Sequence, residues 1–451
     1  MEDTICAIST ALGVGAISIV RVSGSEAIQI VNKIFKGKDL TKVESHTINY
    51  GYIYDGEELI DEVLVSVMLA PKTYTTENLV EINCHGGIST TNKILEILLS
   101  KGCRLAEPGE FTKRAFLNGR IDLIKAESVG DLIISETDKS RKLSLNGVTG
   151  SITNMINDIR KKLVAISANI EVNIDYPEYE DAEVLTNEII KPRIEEIKSE
   201  LEKLLKESKN GKIIKDGIDV AIIGKPNVGK SSLLNTLLEE DKAIVTNVAG
   251  TTRDIVEGKF VLNGIMLNLI DTAGIRETED IVEQIGVNKS KALIEQAELI
   301  ILVLNNNEII SKEEIEMINK LNNKNLIVYI NKNDLENKLD ISKINAKNIV
   351  YGNTKDIKNI ESLKNKIIEL FNLEQIESTN MNYLSNSRQI SLVRKSIDSL
   401  NNCLEQIDNN IEIDLLAIDI KECFDLLGEI IGSTYKEELV DEIFANFCLG
   451  K

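Results

Sequence analysis

Hydrophobic and polar positions follow three different periods along this chain. In residues 217–374, short apolar runs alternate with helical patterns; the runs are Val220-Ala221-Ile222-Ile223, Leu267-Asn268-Leu269-Ile270, Leu299 to Leu304 and Leu326 to Ile330. Runs of this kind predict strands of a mostly parallel sheet buried by helices on both faces. On either side the period becomes helical, with Ile159, Leu163, Ile166 and Ile170 before the block and Ile390, Val393, Ile397, Leu400, Leu404 and Ile407 after it. That spacing predicts bundle helices. Because the helical period resumes after the sheet segment, the pattern predicts an α/β domain inserted into a helical one, with links near Asn210-Gly211 and Glu374. Asp175-Tyr176-Pro177 predicts a break between two helices, since proline lacks a backbone donor and clashes with the preceding turn. The first 118 residues mix strand patterns at Thr4 to Ile8, Ile17 to Val22, Leu64 to Leu69 and Leu79 to Cys84 with helices near Glu26 to Phe35 and Ser89 to Ser100, which predicts a separate α+β domain. The expected order is an α+β domain at 1–118, a helical first part at 119–216, an α/β domain at 217–374 and a helical second part at 375–451.

Composition agrees with several soluble domains. With 451 residues, 43% hydrophobic and 27% charged, the chain has room for about three domains and is neither disordered nor fibrous. No apolar run approaches the roughly 20 residues that span a bilayer, and the amino terminus is acidic where a secretory signal is basic, so a cytoplasmic location is expected. The six cysteines form no C-x-x-C pair and only two histidines exist, which suggests neither a disulfide framework nor a zinc site. The net charge is -20, and residues 375–451 carry 6 basic against 14 acidic side chains. Such a balance disfavours sequence-independent phosphate binding, so any nucleic-acid contact must be local or assisted by a partner.

The chemistry is concentrated in 217–374. Gly224-Lys225-Pro226-Asn227-Val228-Gly229-Lys230-Ser231 fits G-x-x-x-x-G-K-[ST], follows an apolar strand and opens a helical pattern at Ser232. The glycines let backbone N–H groups turn toward phosphates at a helix amino terminus; Lys230 reaches the β and γ phosphates and Ser231 ligates magnesium. Asp271-Thr272-Ala273-Gly274 ends a second strand, where a carboxylate holds magnesium through water and the Gly274 N–H faces a γ-phosphate. Asn331-Lys332-Asn333-Asp334 ends a later strand, at the carboxyl edge where ligands of such sheets bind. Asp334 selects guanine, because a carboxylate accepts from N1–H and the 2-amino group while adenine offers no such pair. Lys332 lays its stem over the base, and Asn353-Thr354 is the loop behind the guanine oxygen. Ile275 stands where Ras-like enzymes place the glutamine that orients water, so another group must do that work. Glu277, Glu279, Asp280 and Glu283 are downstream candidates, and Arg253 and Arg276 lie in the expected switch segments.

Gly224 to Ser231, Gly250-Thr251-Thr252-Arg253-Asp254, Asp271 to Glu277 and the terminal Phe447-Cys448-Leu449-Gly450-Lys451 together resemble the tRNA modification GTPase family MnmE (TrmE). Ile82-Asn83-Cys84-His85-Gly86-Gly87 and Pro108 to Arg120 resemble that family's amino-terminal domain, so the likeness covers the whole chain. The resemblance implies a tetrahydrofolate-binding α+β domain, a helical domain split in sequence and an inserted Ras-like P-loop GTPase domain. It further implies GTP hydrolysis activated by potassium and by pairing of two G domains in a homodimer. The potassium ligands fall on Asn227, the Thr246 and Val248 carbonyls and Thr251; Thr252 joins Ser231 on magnesium; Glu283, with Lys230 the catalytic pair, orients the attacking water. The implied folate contacts are Arg21, Glu81, Arg120 and Lys451, for 5-formyltetrahydrofolate or a methylene-tetrahydrofolate. Without the likeness, Glu81 reads rather as the solvated side of an alternating strand between Val80 and Ile82. The family adds an aminomethyl or carboxymethylaminomethyl group to carbon 5 of the wobble uridine of tRNA together with the flavoprotein MnmG (GidA), which implies FAD on the partner and no membrane. An alternative is a GTPase switch of ribosome assembly, which would not bind a reduced formyl-folate.

Overall fold

The computed structural model describes residues 3–175, 187–240, 256–270, 294–354, 358–376 and 383–451. The chain divides into two compact units, one of residues 1–134, 145–202 and 391–451, the other of 135–144 and 203–390. This is a multidomain α+β and α/β protein.

The first unit begins with a seven-stranded sheet. Its strands are β1 (Ile5–Ile8), β2 (Ile17–Ser23), β3 (Phe35–Lys36), β4 (Thr47–Asp55), β5 (Glu58–Met68), β6 (Leu79–His85) and β7 (Arg104–Leu105), in the order β3-β4-β5-β6-β2-β1-β7. All neighbours are antiparallel except β1 and β7. Val20, Val22, Val80, Ile82 and Cys84 form one buried core with Ile28, Ile30, Val31 and Ile34 of helix Ala27–Ile34 and with Ile94, Ile97 and Leu98 of helix Ile88–Ser100. The alternate residues Arg21 and Glu81 therefore share the opposite face, and the register pairs them directly. Three strands, β2, β5 and β6, run longer than the sequence suggests; the two-residue β3 and β7 were not expected, nor was β4. Its alternation is inverted: Asn49 is buried while Ile48 and Tyr50 are exposed.

The helices of this unit follow the expected period. Ile159, Leu163, Ile166 and Ile170 of helix Ser151–Asp175 are all buried, as are Val393, Ile397, Leu400 and Ile407 of helix Ser387–Asp408. The first of these helices ends at Asp175, in front of Pro177, which itself lies outside the described residues.

In the second unit, β8 (Ile218–Ile223), β9 (Val256–Leu262), β10 (Ile265–Ile270), β11 (Leu299–Asn305), β12 (Leu326–Asn331) and β13 (Ile349–Tyr351) form a sheet ordered β13-β12-β11-β8-β10-β9. It is parallel except for the edge strand β9. Val220 and Ile222 join one buried cluster and Ala221 and Ile223 another, so both faces are covered, as continuous apolar runs require. One expectation needs correcting: helix Asn187–Asp216 runs unbroken through Asn210-Gly211. The break is Gly217, at φ 80°, where a Cβ would lie 2.5 Å from the Met266 carbonyl oxygen.

Candidate functional sites

The phosphate loop follows β8 and leads into helix Lys230–Glu240, with the Leu233 N–H donating to the Gly229 carbonyl in the first turn. Gly224 (φ 145°) and Gly229 (φ 104°) adopt backbone that side chains rarely take, and a Cβ at either would collide with the Val303 carbonyl or the Asn331 amide. Asn227, also left-handed at φ 62°, turns the loop between them. Lys230 folds across this loop: its Nζ donates to the carbonyls of Gly224 (2.7 Å) and Lys225 (2.8 Å), and burial moves its pKa below the ordinary lysine value. Ser231 and Ser232 are exposed at the start of the helix.

Asn331, at the end of β12, fastens the whole edge. Its buried Nδ2 donates to the Val228 carbonyl at 2.8 Å, while Oδ1 accepts from the Lys332 N–H at 2.8 Å and the Thr354 N–H at 3.2 Å. One amide thus joins the phosphate loop, the Asn331-to-Asp334 loop and the loop after β13. Lys332, at φ 59°, donates from Nζ to the Asn227 carbonyl at 3.0 Å, and Asp334 is exposed beside it. Thr236 Oγ1 adds a 3.3 Å bond to the Thr354 carbonyl. The structure therefore brings together Asn227, Val228, Gly229, Lys230, Ser231, Ser232, Asn331, Lys332, Asp334, Asn353 and Thr354 at the carboxyl edge of the sheet. Thr246, Val248, Thr251, Thr252, Asp271, Thr272, Ala273, Gly274 and Glu283 lie outside the described residues. Sequence reasoning missed Glu314, whose Oε2 accepts from the loop residue Lys225 at 3.0 Å while the same side chain completes the capping box of helix Lys312–Leu321 with Ser311. The pattern Ser311-x-x-Glu314 ahead of an amphipathic run was a usable signal for the cap.

The second constellation lies on the β2–β6 face. Arg21 donates from Nε and Nη2 to Glu81 Oε1 at 2.9 and 2.8 Å, and from Nη1 to the Gly450 carbonyl at 3.3 Å. Its guanidinium stacks over Tyr74 and Phe111, and Arg120 covers Tyr74 at 4.9 Å. The carboxy-terminal tail docks here through three more bonds: Ser9 Oγ to the Gly450 carbonyl, the Phe111 N–H to the Lys451 carbonyl and the Gly109 N–H to the Cys448 carbonyl. Gly450, at φ 85°, sits so close to the Ile8 carbonyl that no side chain fits. Burial, then the neighbouring Arg21 charge, lowers the Lys451 pKa, with Glu81 pulling against both. The four residues Arg21, Glu81, Arg120 and Lys451 thus cluster around Tyr74 and the tail. Tyr74 and Arg120 also line an adjoining cavity of about 540 Å³ with Lys72, Asn118 and Gly119. Glu81 is already paired to Arg21 rather than free for a ligand alone, an arrangement the spacing of the chain did not reveal.

Behind this face lies a buried charge cluster that sequence reasoning also missed. Arg114, fully buried, donates to both oxygens of Glu77, to Asp3 and to Glu110. Arg104 holds Glu110 from the other side at 2.6 and 3.0 Å. The hydrogen bond from Arg104 holds Asp3 below the usual carboxylate range. For Glu110, burial pulls upward, but Arg104, the Glu107 N–H and Arg114 together leave it below the usual value.

Two family models match: the MnmE helical domain over residues 123–448 and the GTP-binding protein TrmE N-terminus over residues 4–120. The chain is 50% identical to the tRNA modification GTPase MnmE of Bacillus cytotoxicus and 49% identical to that of Bacillus mycoides, with 100% of this chain and 99% of each relative covered. Among solved structures, the G domain of the T. maritima FeoB iron transporter aligns at 28% identity over 34% of this chain and 98% of that one, with a TM-score of 0.26. No helix among the described residues is long and apolar enough to cross a membrane.

Proposed function

The chain belongs to the tRNA modification GTPase family MnmE, and we infer from that premise that it hydrolyses GTP in the course of modifying tRNA. The observation that carries this reading is the junction at Asn331, which ties the phosphate loop to the two loops that would frame a guanine. In this reading Lys230 turns from the Gly224 and Lys225 carbonyls to the β and γ phosphates, and Asp334 accepts from the guanine N1–H and 2-amino group. The exposed Ser231 hydroxyl and Asn227 carboxamide are hard oxygen donors suited to Mg2+ and K+ respectively. Thr252 would join Ser231, and Thr251 with the Thr246 and Val248 carbonyls would join Asn227. Bound there, the cations supply positive charge where negative charge develops at the β–γ bridge. Glu283 orients the attacking water in place of the missing glutamine.

Arg21, Glu81, Arg120 and Lys451 form the site for a reduced folate such as 5-formyltetrahydrofolate or a methylene-tetrahydrofolate. The donor set suits it: one carboxylate for pterin N–H groups, cations for the glutamyl tail and the Tyr74 ring between two guanidinium groups. The folate supplies a one-carbon unit, and the flavoprotein MnmG the redox chemistry, for an aminomethyl or carboxymethylaminomethyl group on carbon 5 of the wobble uridine. The enzyme works as a cytoplasmic homodimer with MnmG.

Glu283→Ala is expected to bind GTP normally and turn over about 100-fold more slowly; wild-type turnover removes it from the mechanism. Equal rates with sodium and potassium as the sole monovalent cation would remove the potassium site. Unchanged wobble nucleosides, by mass analysis, in cells lacking this protein would overturn the tRNA assignment.

A further inference from the structure

Helices Ser151–Asp175 and Ile413–Ile431 pack together in the first unit. Along their seam lies an open cavity of about 650 Å³ whose walls include Asn154, Asn157, Asp158, Arg160, Lys161 and Phe424. Arg160 is unusual there. Its guanidinium lies 4.1 Å from the centroid of the Phe424 ring, its Nε is fully buried, and among the described residues nothing accepts a hydrogen bond from it. Gly428 leaves the room it uses: a Cβ there would come 3.2 Å from Arg160 Nη2 and 2.8 Å from Ser433 Oγ. The other charges facing the cavity are accounted for. Lys161 is paired with Asp158 at 2.8 Å, and Asp425 is exposed and acts on Arg160 only through its field, against the burial that lowers the arginine pKa.

The buried Nε–H loses water and gains no acceptor, which is costly, while the two Nη groups are not among the buried unpaired atoms and stay open toward the cavity. An oxyanion in the cavity would meet the open Nη groups, whose planar pair matches two oxygens of a phosphate, and the amides of Asn154 and Asn157 can take further contacts. The volume is that of a ligand site rather than a slot for one carboxylate. In a chain of net charge -20, contacts to a polyanion must be local, and this is a local one. We propose that the cavity is an oxyanion subsite that holds one phosphodiester unit of the RNA on which the enzyme acts. It rests on the reading of the protein as a tRNA-modifying enzyme and extends it by naming a place where the RNA backbone is gripped.

The test is binding of a wobble-uridine tRNA transcript to the full chain, by fluorescence anisotropy across a salt series. Arg160→Gln is expected to weaken binding about tenfold and to make the slope of log K against log salt shallower by about 1, with GTP turnover in the absence of RNA unchanged. Arg160→Lys keeps charge without the fork and should recover only part of the loss. If Arg160→Gln does not fold, Asn157→Asp on the rim carries the test, because a carboxylate there should repel the phosphate and weaken binding similarly. Wild-type affinity and salt slope in a folded variant overturn the proposal while leaving the tRNA reading intact. Failure of the wild-type protein to bind the transcript overturns both. A parallel thermal-shift arm adds inorganic phosphate to the protein saturated with GDP; a stabilisation lost in Arg160→Gln with unchanged RNA affinity would assign the cavity to free phosphate and reject the RNA.

Discussion

At the carboxyl edge of the α/β sheet, the phosphate loop, the Asn331-to-Asp334 loop and the loop after β13 each follow a parallel strand, and a single buried amide, Asn331, ties the three together. On the β2–β6 face, Arg21 and Glu81 come from neighbouring strands, but the site is closed by Gly450, which lies 429 positions from Arg21 along the chain. The first is a local device repeated at successive strand ends. The second depends on a terminal segment finding its dock and on a buried ion cluster behind it. The lesson is that the two should fail in different ways: the edge through loss of ligand discrimination, the tail-capped face through loss of assembly.

Substitution of Arg114 should separate them most. Arg114→Met leaves Glu110 buried with half its counter-charge gone, and unfolding of the first unit by urea is expected to shift by about 3–5 kcal/mol. Nucleotide affinity of the second unit should stay unchanged; a stability loss near zero would mean that the cluster contributes no specific support. Next in size, Asp334→Asn should cost GTP roughly 100-fold in affinity and transfer preference to xanthosine triphosphate, without lowering the melting temperature. Unchanged guanine selectivity in a competition assay would break the assignment of the base contact. Gly450→Val should lift the tail from the Ile8 carbonyl and weaken folate binding by about tenfold, because a β-branched residue cannot hold φ 85° there. Wild-type folate affinity would show that the docked tail is dispensable.

The smallest effect is the one on pH. Asp3 and Glu110 are held below their ordinary values of 3.8 and 4.5, so their stabilisation is complete above about pH 5 and is lost as pH falls through the lowered folded values. Lys230 has the opposite sense at the other unit. Its folded pKa lies below 10.5, so the cost of burying its charge is present at neutral pH and is relieved as pH rises through the folded value toward 10.5. Melting of the two units followed from pH 3 to 10 should show acid sensitivity in the first and a slight alkaline gain in the second that Lys230→Met abolishes.

Strands β8, β10, β11 and β12 of the α/β sheet were legible because both faces are buried and nearly every position is apolar, as from Leu299 to Leu304. The edge strand β9, with Glu257 and Lys259 in it, offers no such apolar run. β4 was not, because Asn49 and Gly51 point inward while Ile48 and Tyr50 point outward, reversing the usual polarity. β13 is three residues long, too short for any period to register. Asn331 was readable as part of a nucleotide motif, but its motif says nothing of the Val228 and Thr354 backbone groups it binds. Arg160 carries no motif and came to notice only through its missing acceptor.

Residue order along the chain was enough to place the phosphate loop, Asp334 and the Asn353-Thr354 loop, the two proposed to select and frame a guanine, on one sheet edge, since parallel strands deliver their carboxyl ends to the same side whatever the details of packing. The meeting of Arg21, Glu81, Phe111 and Gly450 was decided only by the folded chain. Such a meeting rests on long-range closure, a glycine backbone fitted against Ile8 and the burial of Arg114 among three carboxylates, and none of these leaves a period or spacing in the residues themselves.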